Sequence, residues 1–248
     1  MLNAIIHSKA GRVNFDKESG SRSWRELYQN REDLLTAAFF TRFTYLSGLL
    51  QHRLLKSWLG GVGDFTEFKH IKYWPRYDLK NHPDRNFVEP DLLIRFESCD
   101  VLVEVKPPKG GDQYLDQWQL EIEGYYQQGD HTKPLYFLAI GRVGNVLQQL
   151  DIEALQNNGR DFQKAQAIEW KPIVCELSAL IKSRELDAQD ERIVYDMIKA
   201  VELYGVRAQN LRWDDLYPLS NSLDSSLSNS LGSLTGLNTL NNKSENLV

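Results

Sequence analysis

Residues 88–106 read VEPDLLIRFESCDVLVEVK, and the rest of the predicted fold is arranged around them. It holds two apolar runs separated by the polar letters ESCD, a pattern that predicts a β-hairpin. Side chains alternate across a strand, so Glu104 and Lys106 project from one face of the second strand. An antiparallel return of the chain would bring Asp91 beside Glu104.

Acidic side chains on two apolar strands favour a site for a cation. Two carboxylates held close together repel each other and favour a hard divalent ion such as Mg²⁺ between them. A nearby lysine can stabilise charge on a phosphate or orient an attacking water. Any one acid alone is explained by a solvated ion pair on an edge hairpin. The joint pattern of Asp91, Glu104 and Lys106 favours a site.

At these residues the chain resembles the PD-(D/E)xK phosphodiesterase superfamily, the restriction-endonuclease-like nucleases. Pro90 and Asp91 match the "PD", and Glu104, Val105 and Lys106 match the "ExK". The resemblance implies an α/β fold with a restriction-endonuclease-like core, in which a helix, three strands, a helix and a strand build a mixed central sheet flanked by helices. It also implies Mg²⁺ as cofactor, replaceable by Mn²⁺, with Asp91 and Glu104 as metal ligands and Lys106 as a catalytic residue.

The segment before the hairpin is helical in pattern. Ser23 and Glu26 form a capping-box arrangement at its start. Apolar residues continue at helical spacing over residues 24–58, and we expect two helices with a break near Ser47 or Gly48. The residues through Ser21 are interpreted as a short arm.

An acid on this preceding helix is a further candidate metal ligand. Many members of the resembled superfamily carry an extra helical carboxylate that contributes to metal binding, and by that resemblance we assign Glu32 as a metal ligand and catalytic residue. Asp33 is the alternative. An acidic residue that only faces solvent on the helix surface would explain the same sequence pattern.

The helix predicted over residues 112–128 carries a polar stripe. Gln113, Gln117, Glu121 and Tyr125 follow one another at four-residue spacing, which places them on one helix face. Several branches of the resembled superfamily have a glutamine and a tyrosine here that face the active site. That resemblance implies a catalytic role for Gln117 and nucleic-acid binding by Tyr125, although a solvent-facing stripe would also be polar.

Residues 64–86, DFTEFKHIKYWPRYDLKNHPDRN, are rich in aromatic and basic side chains. Such side chains together can follow a phosphate backbone and stack on bases, so Lys72 and Arg76 are candidate nucleic-acid-binding residues. Lys109, in the Pro-Gly-rich loop after the hairpin, is a third. The alternative is a first sheet strand whose aromatic residues, Trp74 included, belong to the core while its lysines face solvent.

The remaining chain divides by pattern. Residues 135–140, LYFLAI, predict a buried strand that completes the core order. Later elements are a helix over 143–155, a short strand over 167–172, a helix over 174–181 and a helix that Asp187 caps and that runs to about Tyr204. We therefore predict a nuclease core with its N-terminal helices over 1–142, a mainly helical C-terminal extension packed on it over 143–219, and a low-complexity, flexible tail over 220–248.

Composition limits the class of protein. The chain is 42% hydrophobic and 25% charged, which is ordinary for a globular protein. No apolar run has the length of a membrane span and no signal peptide is visible, so no membrane contact and a cytoplasmic location are expected. Two cysteines without a CxxC pair favour neither a disulfide framework nor a structural zinc site.

The formal net charge of −5 is unusual for a protein that grips nucleic acid alone. It favours partner subunits that supply recognition or ATPase activity. The resemblance implies a metal-dependent endonuclease that acts on nucleic acid, with DNA expected rather than RNA, and together with this charge it favours the cleavage subunit of a bacterial anti-phage defence or restriction system.

Three alternatives remain open from the sequence. The chain could be a transposon-end cleaving endonuclease subunit, which uses the same chemistry. It could be a non-catalytic scaffold that keeps the nuclease fold, or an enzyme with different chemistry at a carboxylate-bound metal. Homo-oligomers are compatible with all of these.

Overall fold

The computed structural model describes residues 2–14, 21–80, 82–128, 133–144 and 161–208. These all belong to one compact unit, Met1–Ala208, while a second unit, Gln209–Val248, lies outside the described residues. The centre of the first unit is a five-stranded sheet. In chain order its strands are β3 (Phe68–Tyr73), β6 (Leu92–Phe96), β7 (Asp100–Val105), β8 (Leu135–Ile140) and β9 (Phe162–Ile168), and they are neighbours in that same order.

The sheet is mixed. Strands β3, β6 and β7 are antiparallel, and β7, β8 and β9 are parallel. The predicted hairpin is confirmed as β6 and β7, in which Leu92 lies opposite Val103. Continuing that register by one residue puts Asp91 opposite Glu104.

One face of the sheet is covered by four helices: α3 (Glu32–Phe43), α4 (Gly48–Trp58), α6 (Trp170–Ser183) and α7 (Ala188–Glu202). Their buried aromatic residues pack against the residues of β7 that point this way, Val101, Val103 and Val105. Phe39 lies at the centre of this core, with ring centroids 5.1 Å from Trp170 and 6.0 Å from Trp58.

The other face is covered by α5 (Leu115–Gln127) and by a small two-stranded sheet of β4 (Tyr77–Asp78) and β5 (Phe87–Val88). Trp118 and Phe137 pack together in this second core, with ring centroids 5.2 Å apart. Both faces are covered, which explains why every residue of β7 and β8 is buried. The α/β class and the mixed central sheet flanked by helices agree with the prediction.

The helical segment before the hairpin is confirmed with one additional break. The Ser23 and Glu26 capping box is present, and it begins α2 (Trp24–Gln29). The expected break falls at Ser47, which is the N-cap of α4, and the Ser47 hydroxyl accepts a hydrogen bond from the Leu50 N–H. The break between α2 and α3, at Asn30, has no glycine or proline to mark it in the sequence.

Residues 2–14 and Ser21, the described part of the predicted arm, include regular secondary structure. They contain α1 (Leu2–Ile6) and β1 (Arg12–Asn14), which pairs with β2 (Ser21–Ser23). Leu2 and Ile5 are buried in the first core, and burial of apolar side chains is what stabilises so short a helix. The interpretation as an arm was wrong.

The C-terminal portion is part of the same core. Strand β9 extends the central sheet, and α6 and α7 share the first core with α3 and α4. The expected boundary at residue 142 therefore falls within one compact unit. The strand predicted over 167–172 ends at Ile168, because Trp170 already begins α6; Pro172 fits the first turn, where the helix makes no use of its N–H.

Asp187 caps α7 as predicted, with its side chain accepting from two backbone N–H groups. The helix expected over 143–155 and the tail over 220–248 lie outside the described residues. Among the helices that the structure describes, none has the length and apolar character needed to cross a membrane.

Candidate metal centre

Asp91 and Glu104 face each other across the β6–β7 hairpin on the side of the sheet covered by α5. Both are buried, at 6% and 2% exposure. The Asp91 Oδ2 atom accepts a hydrogen bond of 2.8 Å from the Val105 N–H, which fixes this carboxylate against the neighbouring strand. The thirteen-residue step from Asp91 to Glu104 thus gives a directly opposed cross-strand pair.

Glu32 supplies a third carboxylate from the first turn of α3. Carboxylate oxygens of Glu32, Asp91 and Glu104 all lie within 4.8 Å of one another. Asp33, the alternative, is exposed and is not part of this group. The side chain of Glu32 is partly exposed, so the cluster opens to solvent on this side.

Lys106 lies between two of these acids. Its Nζ atom donates to Glu104 Oε1 at 2.6 Å and to Glu32 Oε1 at 2.8 Å. This ammonium group therefore joins the end of β7 to the start of α3. Lys106 also follows the alternation of β7, as the sequence predicts, since it shares the face of Glu104.

The backbone of Lys106 is held from both sides. Its N–H donates to Ile140 O and its carbonyl accepts from Trp170 Nε1, each at 2.8 Å. Gly141, at φ +80°, passes so close that a Cβ there would lie 2.2 Å from the Lys106 carbonyl oxygen. The end of β8 thus requires glycine next to the motif strand.

Burial and nearby negative charge raise the pKa of the Asp91 and Glu104 carboxyl groups and so favour their protonated forms. Burial, followed by the adjacent Glu104, raises the pKa of Asp91 to about 8. Burial also raises the pKa of Glu104, although Lys106 opposes the shift. For Lys106, burial favours the neutral amine, but the Glu104 and Glu32 carboxylates outweigh it and raise the pKa of the ammonium.

Gln117 connects the cluster to a fourth buried carboxyl group. Its Nε2 atom donates to Glu104 Oε1 at 2.7 Å and to Glu121 Oε1 at 2.8 Å. Glu121 is 1% exposed, and its Oε2 atom has no hydrogen-bond partner among the described residues. Burial, followed by the Glu104 carboxylate, raises the pKa of Glu121 well above its usual range.

Glu121 is the residue of this site to which the sequence analysis gave no role. The signal was present, because Glu121 follows Gln117 by four residues on the polar stripe of α5. Gln113, one turn earlier, is also buried; its amide oxygen accepts from Trp118 Nε1 at 2.9 Å. The stripe therefore faces the sheet rather than solvent.

Tyr125 does not reach the cluster, and its assignment to nucleic-acid binding was wrong. Its side chain is fully buried, and its hydroxyl donates to Asp100 Oδ2 at 2.8 Å, at the opposite end of β7. Eight residues separate it from Gln117, or about 12 Å along a helix axis. The four-residue spacing indicated the correct face but not the position along it.

The three candidate nucleic-acid-binding cations are exposed. Lys72 lies on β3, and Lys109 lies in the loop after β7. The Arg76 guanidinium stacks 3.8 Å from the centre of the Phe87 ring, and its Nε atom lies 3.5 Å from Asp78 Oδ1. Their contact with nucleic acid stays a prediction.

The donor set fits a hard divalent cation. Carboxylate oxygens are the protein ligands that Mg²⁺ and Mn²⁺ prefer, and Mg²⁺ usually binds through one or two carboxylates and keeps several waters. Asp91 and Glu104 supply buried oxygens, and Glu32 supplies one at the opening. A cation placed among them would offset the negative charge that burial leaves uncompensated.

No protein-family model matches the chain. It is similar to an uncharacterized protein of Pasteurella multocida (strain Pm70), with 29% identity over 228 residues that cover 86% of this chain and 83% of that protein. This relative brings no activity to the comparison. The function is therefore inferred from the site.

Proposed function

We propose that this protein is a metal-dependent nuclease that hydrolyses phosphodiester bonds, with Mg²⁺ as its cofactor and Mn²⁺ as a substitute. One observation carries the proposal. Oxygens of Glu32, Asp91 and Glu104 converge within 4.8 Å, and the Lys106 ammonium bridges two of these acids.

Each residue has a distinct role in this proposal. When bound, the ion supplies Lewis-acid activation of the phosphodiester and of the attacking water. Asp91 and Glu104 hold the ion, and Glu32 completes the ligand set from the opening. The Val105 N–H keeps Asp91 in place at 2.8 Å.

Lys106 acts through its charge. Its ammonium stands between Glu104 and Glu32, where it can turn toward a phosphate oxygen or orient the attacking water. Gln117 holds the Glu104 oxygen that Lys106 also contacts, which limits the rotation of this carboxylate.

The architecture supports the restriction-endonuclease-like assignment. Helix α3 precedes strands β3, β6 and β7, and α5 and β8 follow, with the small β4–β5 sheet inserted after β3. Asp91 directly precedes β6, Lys106 directly follows β7, Glu104 lies in β7 and Glu32 begins α3, an arrangement that supports the resemblance.

The proposed setting is a bacterial anti-phage defence or restriction system in which this chain cuts DNA and other subunits recognise it. The net charge of −5 supports this setting, because a protein with this balance gains little nonspecific attraction to nucleic acid. Partner subunits would supply that affinity.

The test is a cleavage assay with the full chain on linear, supercoiled and single-stranded DNA and on RNA, in Mg²⁺, Mn²⁺ or EDTA. We expect cleavage that requires the ion and falls at least about 100-fold in Glu32→Gln and Lys106→Ala, as for loss of a transition-state contact. Asp33→Asn, which changes the exposed neighbour of Glu32, should cut like the wild type. Equal rates in Lys106→Ala and the wild type would refute the proposed site.

A further inference from the structure

A two-stranded ribbon runs from the central sheet past the candidate metal centre. It consists of residues 73–78 and 87–92, and is called the site ribbon below. At one end β3 pairs with β6, and at the other β4 pairs with β5. Between these pairs the Trp74 N–H donates to the carbonyl of Asp91 at 2.9 Å. The backbone of Trp74 is thus bonded directly to that of a candidate metal ligand.

Trp74 has an unfavourable backbone conformation for its type. Its φ is +47°, in the left-handed region that glycine tolerates and that a bulky L residue rarely adopts. This kink is where the site ribbon leaves the central sheet. Yet the indole is 37% exposed, so burial of the whole ring does not account for a tryptophan here. Strained residues of this kind concentrate at ligand-binding sites.

Further along the site ribbon, a second aromatic ring is exposed. Phe87 presents one face to the Arg76 guanidinium at 3.8 Å. The exposed charges here do not form a basic surface, since the acids Asp78 and Glu89 outnumber Arg76. A ligand of the site ribbon would therefore gain its contacts from the flat aromatic surfaces more than from charge.

We propose that Trp74 stacks on an unpaired nucleobase of the strand whose phosphate occupies the metal centre, so that the substrate is single-stranded or frayed nucleic acid. This inference rests on the proposed nuclease function. In an intact duplex each base is covered on both faces, and a protein ring can stack only on a base that is unpaired or flipped out. The hydrogen bond between the Trp74 N–H and the Asp91 carbonyl holds the backbone of Trp74 directly beside that of a candidate metal ligand, so a strand bound at the metal centre would pass close to Trp74.

The test measures binding with the cleavage step removed. The full chain carrying Lys106→Ala is titrated in Mg²⁺ against fluorescein-labelled oligothymidylate, oligouridylate and a blunt DNA hairpin, and fluorescence anisotropy is recorded. Trp74→Ala should weaken binding of either single strand about 10-fold, as expected for the loss of one stacked base. Trp24→Ala is the matched control, because Trp24 has nearly the same exposure, 36% against 37% for Trp74, but lies on α2.

A second variant distinguishes loss of the ring from damage to the fold. Trp74→Gly also removes the ring, but glycine suits the positive φ, so its thermal unfolding midpoint should equal or exceed that of the parent. Loss of single-strand affinity in both Trp74 variants, with the Trp24→Ala chain unaffected, supports the stacking of a base on Trp74. Preference for oligothymidylate or oligouridylate then separates DNA from RNA.

Equal single-strand binding by Trp74→Ala and Trp24→Ala would overturn the inference, as would a parent chain that binds the hairpin alone. These outcomes are separate from the nuclease proposal. Metal-dependent cleavage of duplex DNA that does not depend on Trp74 would support the nuclease proposal and contradict the stacking of a base on Trp74. If single-strand binding depends on Trp74 but the wild-type chain cleaves no substrate, the stacking of a base on Trp74 is supported and the nuclease proposal is contradicted.

Discussion

The β6–β7 hairpin and α5 carry buried charges at both ends, and the two ends differ in balance. At the far end, Asp100 faces Arg95 and Tyr125, and we call these three residues the far cluster. At the near end lies the site cluster, made of Glu32, Asp91, Glu104, Lys106 and Glu121. The far cluster matches one carboxylate with one guanidinium, whereas the site cluster has four carboxyl groups and one ammonium.

The far cluster behaves as a structural contact. Arg95 Nη2 lies 3.1 Å from Asp100 Oδ2, and the Tyr125 hydroxyl donates to the same oxygen at 2.8 Å. The described residues around the site cluster do not neutralise its negative charge in this way. The Lys106 ammonium contacts only two of the four carboxyl groups, those of Glu32 and Glu104. Excess of one charge sign, rather than burial alone, therefore distinguishes a candidate site from a structural ion pair.

The largest expected effect on stability lies at the far cluster. Asp100→Asn removes the charge that Arg95 faces and should lower the free energy of unfolding by about 3 kcal/mol, as for a broken buried pair. Urea denaturation measures this change. Glu185→Gln breaks the exposed pair with Arg53 and should cost under about 1 kcal/mol. Equal losses in the two variants would mean that the far cluster is not a structural ion pair.

At the site cluster, a substitution should lower the cleavage activity without lowering the free energy of unfolding. Asp91→Asn keeps an oxygen for the Val105 N–H but removes one of the repelling charges. We expect cleavage to fall at least about 100-fold, while unfolding in EDTA stays within about 1 kcal/mol of the wild type or shifts toward greater stability. A cleavage assay and urea denaturation on the same preparation measure both. A large loss of stability would show that Asp91 stabilises the fold, as Asp100 does, rather than serving as a metal ligand.

Glu121 should show the same separation with a smaller effect. Glu121→Leu removes a buried oxygen without a described partner and frees the Gln117 amide that also holds Glu104. Mg²⁺ affinity should fall about 10-fold, as for lost support of a ligand, with the free energy of unfolding unchanged or raised by about 1 kcal/mol.

Calorimetric titration with Mg²⁺ and urea denaturation in EDTA give the two readings for Glu121→Leu. Glu123→Gln is the control on α5, since its carboxylate contacts Gln127 rather than the site cluster. Unchanged Mg²⁺ affinity in Glu121→Leu would show that Glu121 does not position the ligands.

The smallest effect concerns a thiol next to the far cluster. Burial raises the pKa of Cys99 to about 11, so below that pH the buried thiol stays largely neutral and unreactive. At pH 8 a maleimide reagent should label the exposed Cys175 and leave Cys99, and labelling of Cys99 should increase with pH toward 11. Asp100→Asn should speed labelling of Cys99 by loosening its neighbour. Rapid labelling of both thiols at pH 8 in the wild type would contradict the described packing. Mass spectrometry counts the labels.

The sequence was most informative where local rules act alone. Alternation of side chains and the step from Asp91 to Glu104 predicted the cross-strand pair, and the capping pattern at Ser23 predicted the start of α2. These features depend on neighbours along one or two strands, or on one helical turn. Tertiary packing has little opportunity to change them.

The positions that sequence missed depend on how elements pack. The stripe on α5 was visible, but only the placement of α5 across the sheet assigns Glu121 to the near end and Tyr125 to the far end. Likewise, the first residues gain their helix from the burial of Leu2 and Ile5, which no local pattern reveals. Long-range packing therefore decided the residues that were wrongly assigned.

The most direct test of the central claim is calorimetric titration of the full chain with Mg²⁺, beside Asp91→Asn and Asp33→Asn. The account predicts saturable binding in the wild type and in Asp33→Asn, and its loss in Asp91→Asn. Bound Mg²⁺ should also stabilise the wild type by about 2.7 kcal/mol at a concentration 100 times its Kd. Absence of binding in the wild type, or equal binding in Asp91→Asn, would contradict the assignment of these carboxylates to a metal centre.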